Sequence, residues 1–405
     1  MLTYSEALER VLSLAAPLPV ERVPLDQALG LAAAEDVLAR EAVPPFTNSA
    51  MDGFALCAAD TAGARPEQPV RLPVAGVVPA GMEAVPALKG GTALRIMTGA
   101  ALPQGADTIV PVECVQCGEG WVELAGPLAA GANIRLAGED IPAGGTVVRA
   151  GSTLRPAETG VLASIGCAEV PVRLRPRVAV LTTGDELVDA AAQPGPGQIR
   201  DANIHSLCAQ IRAAGGEPIP MPRVPDTREA VEAALRAALA AADVVLTNGG
   251  VSVGDFDYIK VVLEDLGAET VFWRVAQKPG GPLGLWRLRD RLVFGIPGNP
   301  VAAMLMFEEY VRPALRRMMG YRFLHRPWRT CALVAPWRKS GPDGKLQFLR
   351  VVAEGGQAAL TGPQGSGLLS SMMKANALAL IPEEAVALPA GSSVLLHFLD
   401  EAEDH

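Results

Sequence analysis

The chain has 405 residues, 49% hydrophobic and 20% charged, with a formal net charge of −9 at pH 7. An acidic balance without a basic tract argues against nucleic-acid binding, and the lack of about 18 uninterrupted apolar residues argues against a membrane span. The length suggests two or three domains, and 42 glycines with 34 prolines suit short strands and loops better than a helical bundle.

The first residues carry no basic run, and Glu6 and Glu9 interrupt any apolar stretch, so residues 3–14 are expected to form an amphipathic helix rather than a signal peptide. Residues 25–38 are expected to be a second helix, stopped by Pro44-Pro45. Next comes Asn48-Ser-Ala-Met-Asp52-Gly-Phe-Ala55, a turn leading into a strand. Brief β segments at 70–78, 92–97, 108–112 and 121–124 indicate a small β domain, sandwich or barrel. Within it, Arg95-Ile-Met-Thr98-Gly and Asn133-Ile-Arg135-Leu-Ala-Gly-Glu-Asp140 set polar residues beside glycine, as either presenting loops or ordinary turns do. The six cysteines are scattered, which indicates a reduced, cytoplasmic chain. Cys114-Val-Gln-Cys117 has no second pair and reads as strand residues near a turn rather than a zinc site. A helix with Pro156 in its first turn follows, then a crossing at 173–177.

From residue 177 strands and helices alternate. Strands are expected at 177–184, 219–224, 243–246, 271–275 and 292–296, and helices at 201–214, 226–241 and 301–318. The 226–241 helix opens with a capping-box spacing, Asp226 and Glu229. This alternation predicts a doubly wound, mostly parallel sheet, in which ligands sit at the carboxyl ends of strands. The ends at 182–186, 247–257 and 295–300 are rich in Gly, Thr, Asn and acids. Residues 327–405 return to β character as a second small β domain.

The 247–257 stretch is a strand end, a glycine loop and a helix start. Gly249, Gly250 and Gly254 allow close backbone approach, Ser252 adds a hydroxyl, and Asp255 and Asp257 favour a metal or a hydrogen-donating ligand over a bare phosphate. A plain turn with an aspartate cap is the alternative. Carboxylates converging from Asp185, Glu186, Asp226, Asp255 and Asp257 suit Mg²⁺, which prefers oxygen ligands. Asp226 fits a helix cap better, whereas Glu186 has no such explanation. Lysine occurs only at 89, 260, 278, 339, 345 and 374, which makes Lys278 in a Gly-Pro loop near Arg274 stand out as an oxyanion group, against a solvated loop lysine as the alternative. The histidines form no nucleophile triad, and neither a Walker loop nor a GxGxxG loop is present.

Eight motifs in colinear order resemble the molybdopterin molybdenumtransferase family, which includes bacterial molybdenum-cofactor enzymes and the C-terminal domain of gephyrin. They are the Asp52, Thr98 and Arg135–Asp140 segments above, Thr183-Gly-Asp-Glu186-Leu, Gly249-Gly-Val-Ser252-Val-Gly254, Lys278-Pro-Gly, Pro297-Gly-Asn-Pro300 and Gln364-Gly-Ser366. The resemblance implies a multi-domain α/β plus β fold and an elongated homodimer, its central doubly wound domain flanked by small β domains. The division would be 1–45 with 141–176, 46–140, 177–326 and 327–405. It implies insertion of molybdate into adenylylated molybdopterin with Mg²⁺-dependent release of AMP. Gly249, Gly250, Ser252, Gly254 and Asp257 would meet the nucleotide-pterin ligand, with Asp257 and Glu186 on the metal and Asp226 in the same crevice. Arg274, Lys278, Arg350 and Ser366 would place molybdate, and Pro297 and Pro300 would shape the adjoining loop. Asp52, Thr98, Arg135 and Asp140 would come from the partner subunit. The upstream partner would be a molybdopterin adenylyltransferase, itself the alternative function alongside a partner-binding scaffold. The pattern often has a second lysine where Gly281 stands and a serine at Ala302, so this anion site has fewer donors, while Arg274, where lysine is common, keeps the charge.

Overall fold

In a computed structural model, residues 1–250 and 258–401 are described. Two compact units divide the chain: Met1–Glu35, Ala150–Arg155 and Val170–His405 form the larger, and Asp36–Arg149 with Pro156–Glu169 the smaller.

The larger unit is built on a six-stranded sheet. Its order is Glu217–Pro220, Arg177–Thr182, Val244–Asn248, Arg291–Ile296, Gly284–Leu288, Glu269–Trp273. The first four run parallel; Gly284–Leu288 runs antiparallel to both of its neighbours, so that the edge strand Glu269–Trp273 points the same way as the first four. Strand side chains alternate between faces, and the core divides accordingly. Val178, Val180, Val244 and Leu246 join one cluster with Leu207 and Ile211 of the Asn203–Ala213 helix. Ala179, Leu181 and Val245 join the other with Val231, Leu235, Ile259 and Val262 of the Arg228–Ala241 and Tyr258–Asp265 helices. Helices on both faces make the sheet doubly wound.

Residues 328–398 supply a closed barrel. Leu346–Glu354, Gln357–Leu360, Trp328–Leu333, Ser393–Phe398 and Ala377–Ile381 pair in turn, and the last pairs back with the first. A two-residue strand, Gln277–Lys278, runs parallel to the start of Leu346–Glu354, with Lys278 opposite Gln347. The barrel is tied further to the rest of the unit by buried polar contacts. The Tyr4 hydroxyl donates to one Glu309 oxygen at 2.8 Å, and the other Glu309 oxygen lies 2.9 Å from His397 Nδ1.

The smaller unit holds a mixed six-stranded sheet in the order Thr108–Pro111, Gly53–Leu56, Ala93–Ile96, Val70–Val78, Trp121–Leu124, Gln116–Gly118. Gly53 is required by close approach: a Cβ there would sit 2.0 Å from the Val110 carbonyl oxygen. Cys114 and Cys117 are exposed thiols, one in a 3-10 turn and one in a strand.

Several sequence expectations need correction. The helix expected over 25–38 is only a 3-10 turn at Leu25–Gln27. Beyond it the Gly30 amide donates to the Leu154 carbonyl, the Ala33 amide to Ser152 and the Ala34 amide to Pro171. Gly30 has φ +75°, and this tertiary pairing overrides the helical preference of the alanines. The 226–241 helix begins two residues later, at Arg228, capped by the Thr227 hydroxyl rather than by Asp226. The 301–318 helix carries a wide turn at Phe307–Val311 between Pro300–Met306 and Arg312–Met318. Pro313 has no N–H to give to the carbonyl four residues back, and a wider turn accommodates its ring. The N-terminal helix, by contrast, runs Tyr4–Leu14 with Thr3 and Glu6 closing a complete capping box.

Candidate functional site

Register brings the three polar strand ends level. Thr182 pairs with Asn248, and Asn248 with Ile296. One residue further on, the Thr183 amide donates to the Asn248 carbonyl and the Gly249 amide to the Ile296 carbonyl. Gly249 and Gly250 have φ +88° and +63°, and a Cβ on Gly249 would lie 2.9 Å from the Thr183 carbonyl oxygen. Only glycine lets the chain turn there against its neighbour. Residues 251–257 lie outside the described residues, and with them the expectations for Ser252, Gly254, Asp255 and Asp257.

A cleft of about 990 Å³ opens beside these ends. Gly249 and Gly250 line it together with Lys278, Pro297, Gly298 and Ser366. The tertiary fold therefore gathers segments more than a hundred positions apart in sequence. Two of its walls are joined directly, because the Val301 amide donates to the Ser366 carbonyl at 3.1 Å. Gly281 and Ala302 also line the cleft, so the donors absent from those positions are absent from its surface. Lys278 is exposed and faces this space; Pro297 and Ser366 are half-buried.

Arg350 lies beneath the cleft, with no solvent exposure. Its Nε donates to Ser371 Oγ at 3.0 Å and its Nη2 to the Gly365 carbonyl at 3.1 Å, while its backbone amide donates to Gln364 Oε1 at 2.8 Å. These bonds fix the loop that carries Ser366. Nη1 is buried with no hydrogen-bond partner among the described residues; burial pulls the group below the usual arginine range.

Arg274, Pro300, Glu186 and Asp226 are not among the residues lining the cleft. Arg274 follows the Glu269–Trp273 strand with φ +72°, its amide bonded to the Leu283 carbonyl. Pro300 is the first residue of the Pro300–Met306 helix, where its missing N–H costs nothing. Glu186 is exposed, and its carboxylate fills the space beside Gly184, where a Cβ would be 2.6 Å from Oε2. The Asp226 amide donates to Asp185 Oδ1 at 3.3 Å. Among the described residues no group of three or more His, Cys, Asp or Glu is assembled for a metal.

In the smaller unit, Asp52 Oδ1 accepts from the Thr98 amide and from the Thr98 hydroxyl, both at 2.7 Å. Arg135 pairs with Asn48 in a short ladder, and the Asp140 amide donates to the Val43 carbonyl. Asp52, Thr98, Arg135 and Asp140 are all exposed. The Thr98 amide first, then its hydroxyl and Arg95, hold the Asp52 carboxyl below the usual range. A depressed folded-state value stabilises the fold above the unfolded value, about pH 4, and the stabilisation is lost as pH falls through the folded value. Thr98→Val removes the hydroxyl bond and keeps the amide. It is expected to raise the Asp52 titration midpoint, followed by carboxyl carbon NMR; an unchanged midpoint would show the hydroxyl bond to be idle.

Several residues in and around the cleft escape notice in the sequence. Asn203 Nδ2 donates to Asn248 Oδ1 and to the Gly298 carbonyl, both at 2.7 Å, and Asn248 Nδ2 donates to the Pro297 carbonyl at 2.8 Å. This amide clasp holds the proline-glycine loop against the central strand. Lys339, Asp343, Lys345 and Gln347 line the cleft from the barrel. The rarity of lysine singles out Lys339 and Lys345 as readily as Lys278.

Comparison with known proteins gives a consistent picture. Residues 2–166 match the MoeA N-terminal region (domain I and II), 179–317 a probable molybdopterin binding domain, and 335–399 the MoeA C-terminal region (domain IV). Molybdopterin molybdenumtransferase 2 of Mycobacterium tuberculosis is 40% identical over 381 residues, 92% of this chain and 93% of that protein. The molybdopterin molybdenumtransferase of Bacillus subtilis is 34% identical over 402 residues, 98% of this chain and 94% of that protein. The crystal structure of a molybdopterin biosynthesis MoeA protein from Pyrococcus horikoshii superposes with a TM-score of 0.87 at 33% identity, covering 99% of this chain and 100% of that one.

Proposed function

This chain belongs to the molybdopterin molybdenumtransferase family, and from that premise we propose that it inserts molybdate into adenylylated molybdopterin and releases AMP. It is a transferase of molybdenum-cofactor biosynthesis. The observation that carries the finer reading is the cleft, where a glycine loop at a strand end, an exposed lysine and a barrel loop bearing Ser366 converge. Such a site offers backbone approach to a nucleotide-pterin on one side and donors for a dianion on the other.

In this reading Gly249 and Gly250 let the protein backbone come close to the substrate, and the Asn203–Asn248 clasp keeps the Pro297 loop in place. Lys278 and the Ser366 hydroxyl bind and orient molybdate, and Arg350 holds the Ser366 loop from below. Glu186 and Asp257 would hold Mg²⁺, with Asp185 and Asp226 beside Glu186. The described donors are all carboxylate oxygens, those of Asp185 and Glu186 exposed and that of Asp226 half-buried, which suits that ion. When bound, it supplies charge neutralisation at the pyrophosphate link. The release of AMP is a displacement in which water attacks phosphorus and the AMP phosphate leaves. The dithiolene sulfurs belong to the substrate, so no protein thiol is used. The four-domain division and the homodimer stand as part of the same proposal, with Asp52, Thr98, Arg135 and Asp140 given by the partner subunit and a molybdopterin adenylyltransferase acting just upstream. The reaction would take place in the cytoplasm; no helix among the described residues is long and apolar enough to cross a membrane.

The test is to incubate purified protein with adenylylated molybdopterin, Mg²⁺ and molybdate, and to measure AMP and active cofactor. AMP release coupled to molybdate-dependent cofactor is expected. ATP-dependent adenylylation of molybdopterin instead would mark an adenylyltransferase. If the site is shared, mixing Asp52→Ala and Asp257→Ala subunits restores activity in the heterodimer, and no restoration would place the site within one chain.

A further inference from the structure

We propose that Asp343, braced by Lys339, is a positioning residue that directs the Lys278 side chain into the cleft and so sets its affinity for an oxyanion. The proposal rests on the reading of Lys278 as an anion-binding group. Lys278 enters on the short Gln277–Lys278 strand, opposite Gln347 of the barrel. Gln347 Nε2 donates to Asp343 Oδ2 at 3.2 Å, the Lys345 amide donates to Asp343 Oδ1 at 3.2 Å, and Lys339 Nζ lies 3.3 Å from the same Oδ1. Asp343, Lys339, Gln347 and Lys278 all line one cleft.

Lys339 ties the ends of this loop together. Its residue is only 6% exposed, yet its ammonium donates to the Lys345 carbonyl at 3.0 Å and the Glu383 carbonyl at 2.9 Å, besides facing Asp343. A buried ammonium is retained only when its donors are satisfied, and here they are satisfied by folding the 339–345 loop around it. The Asp343 carboxylate is therefore held from the barrel side. Against the cost of partial desolvation, the bonds from Lys339 and the Lys345 amide, with the charges of Lys339 and Lys278, keep its carboxyl below the usual range. A lysine has a compact charge on a flexible four-carbon stem; a fixed carboxylate gives that stem one preferred direction and removes part of the cost of ordering it when an anion binds.

The test uses Asp343→Asn, which keeps the shape and the acceptor oxygen for Lys339, in the full-length protein. KM for molybdate is expected to rise about tenfold, with kcat at saturating molybdate within about twofold of wild type. Asp343→Glu, which restores the charge, is expected to recover part of the loss. In a second readout that needs no turnover, an amine-reactive reagent is mapped by peptide mass; labelling of Lys278 is expected to change about threefold in Asp343→Asn, with Lys260 unchanged. Unchanged KM and unchanged Lys278 labelling would overturn the proposal. So would a fall in kcat and in the unfolding midpoint with KM unaltered, the pattern of a merely structural residue. A wild-type protein without molybdate-dependent turnover would sink the functional reading, while the labelling result would still decide whether Asp343 positions Lys278.

Discussion

Lys278→Ala is expected to lower kcat/KM for molybdate by about a hundredfold to a thousandfold, the range found when one donor to a developing or bound oxyanion is removed from a preorganised site. The effect should be large here because Gly281 and Ala302 contribute no side-chain donor beside it, Arg274 does not line the cleft, and the Lys339 ammonium is already held by the Lys345 and Glu383 carbonyls and by Asp343. The fold should be untouched, since Lys278 is exposed and surface substitutions of that kind change stability by less than about 0.5 kcal/mol. Lys278→Arg keeps the charge on a larger, forked group and should fall between the two. Steady-state kinetics with molybdate as the varied substrate, beside a urea denaturation curve, separates the effects. Wild-type kinetics in the alanine variant would remove Lys278 from the site.

Arg350→Ala is expected to damage both stability and turnover. The guanidinium is fully buried and bonded to Ser371 Oγ and the Gly365 carbonyl. Its removal leaves those groups without their donor and a large hole under the loop, at a cost of about 3 kcal/mol. The same bonds hold the loop that presents Ser366, so molybdate-dependent turnover should fall about a hundredfold even at temperatures where the variant stays folded. Arg350→Lys keeps the charge but not the planar fork, and should recover less than half of the lost stability. Retention of full activity by Arg350→Ala would show that the loop holds its shape without this anchor.

Much of the scaffold was legible in local pattern. Thr3 and Glu6 announce the first helix because a capping box is satisfied within four residues. The strand Val244–Asn248 and the helix Tyr258–Asp265 were readable from an apolar run and from Ile259, Val262 and Leu263 at helical spacing. The 25–38 segment misled for the opposite reason: its alanines favour helix alone, yet Ala32 and Ala33 pair with Thr153 and Val172. The 226–241 segment reads as one helix either way, but whether Asp226 or Thr227 caps it depends on the Thr227 hydroxyl reaching the Ala230 amide.

The sequence by itself determined the family resemblance, the alternation that makes a doubly wound sheet and the choice of Lys278, Pro297 and Ser366, because motif residues and apolar periods are local properties. Only the tertiary structure decided that Arg350 lies under the cleft, that Lys339 and Asp343 face it, and that Gly281 and Ala302 form part of its wall. Those facts depend on pairings such as Lys278 with Gln347 and on a barrel closed by Leu346–Glu354 against Ala377–Ile381. The register of strands so distant in sequence is set by how whole faces pack, and no short window of the chain contains it.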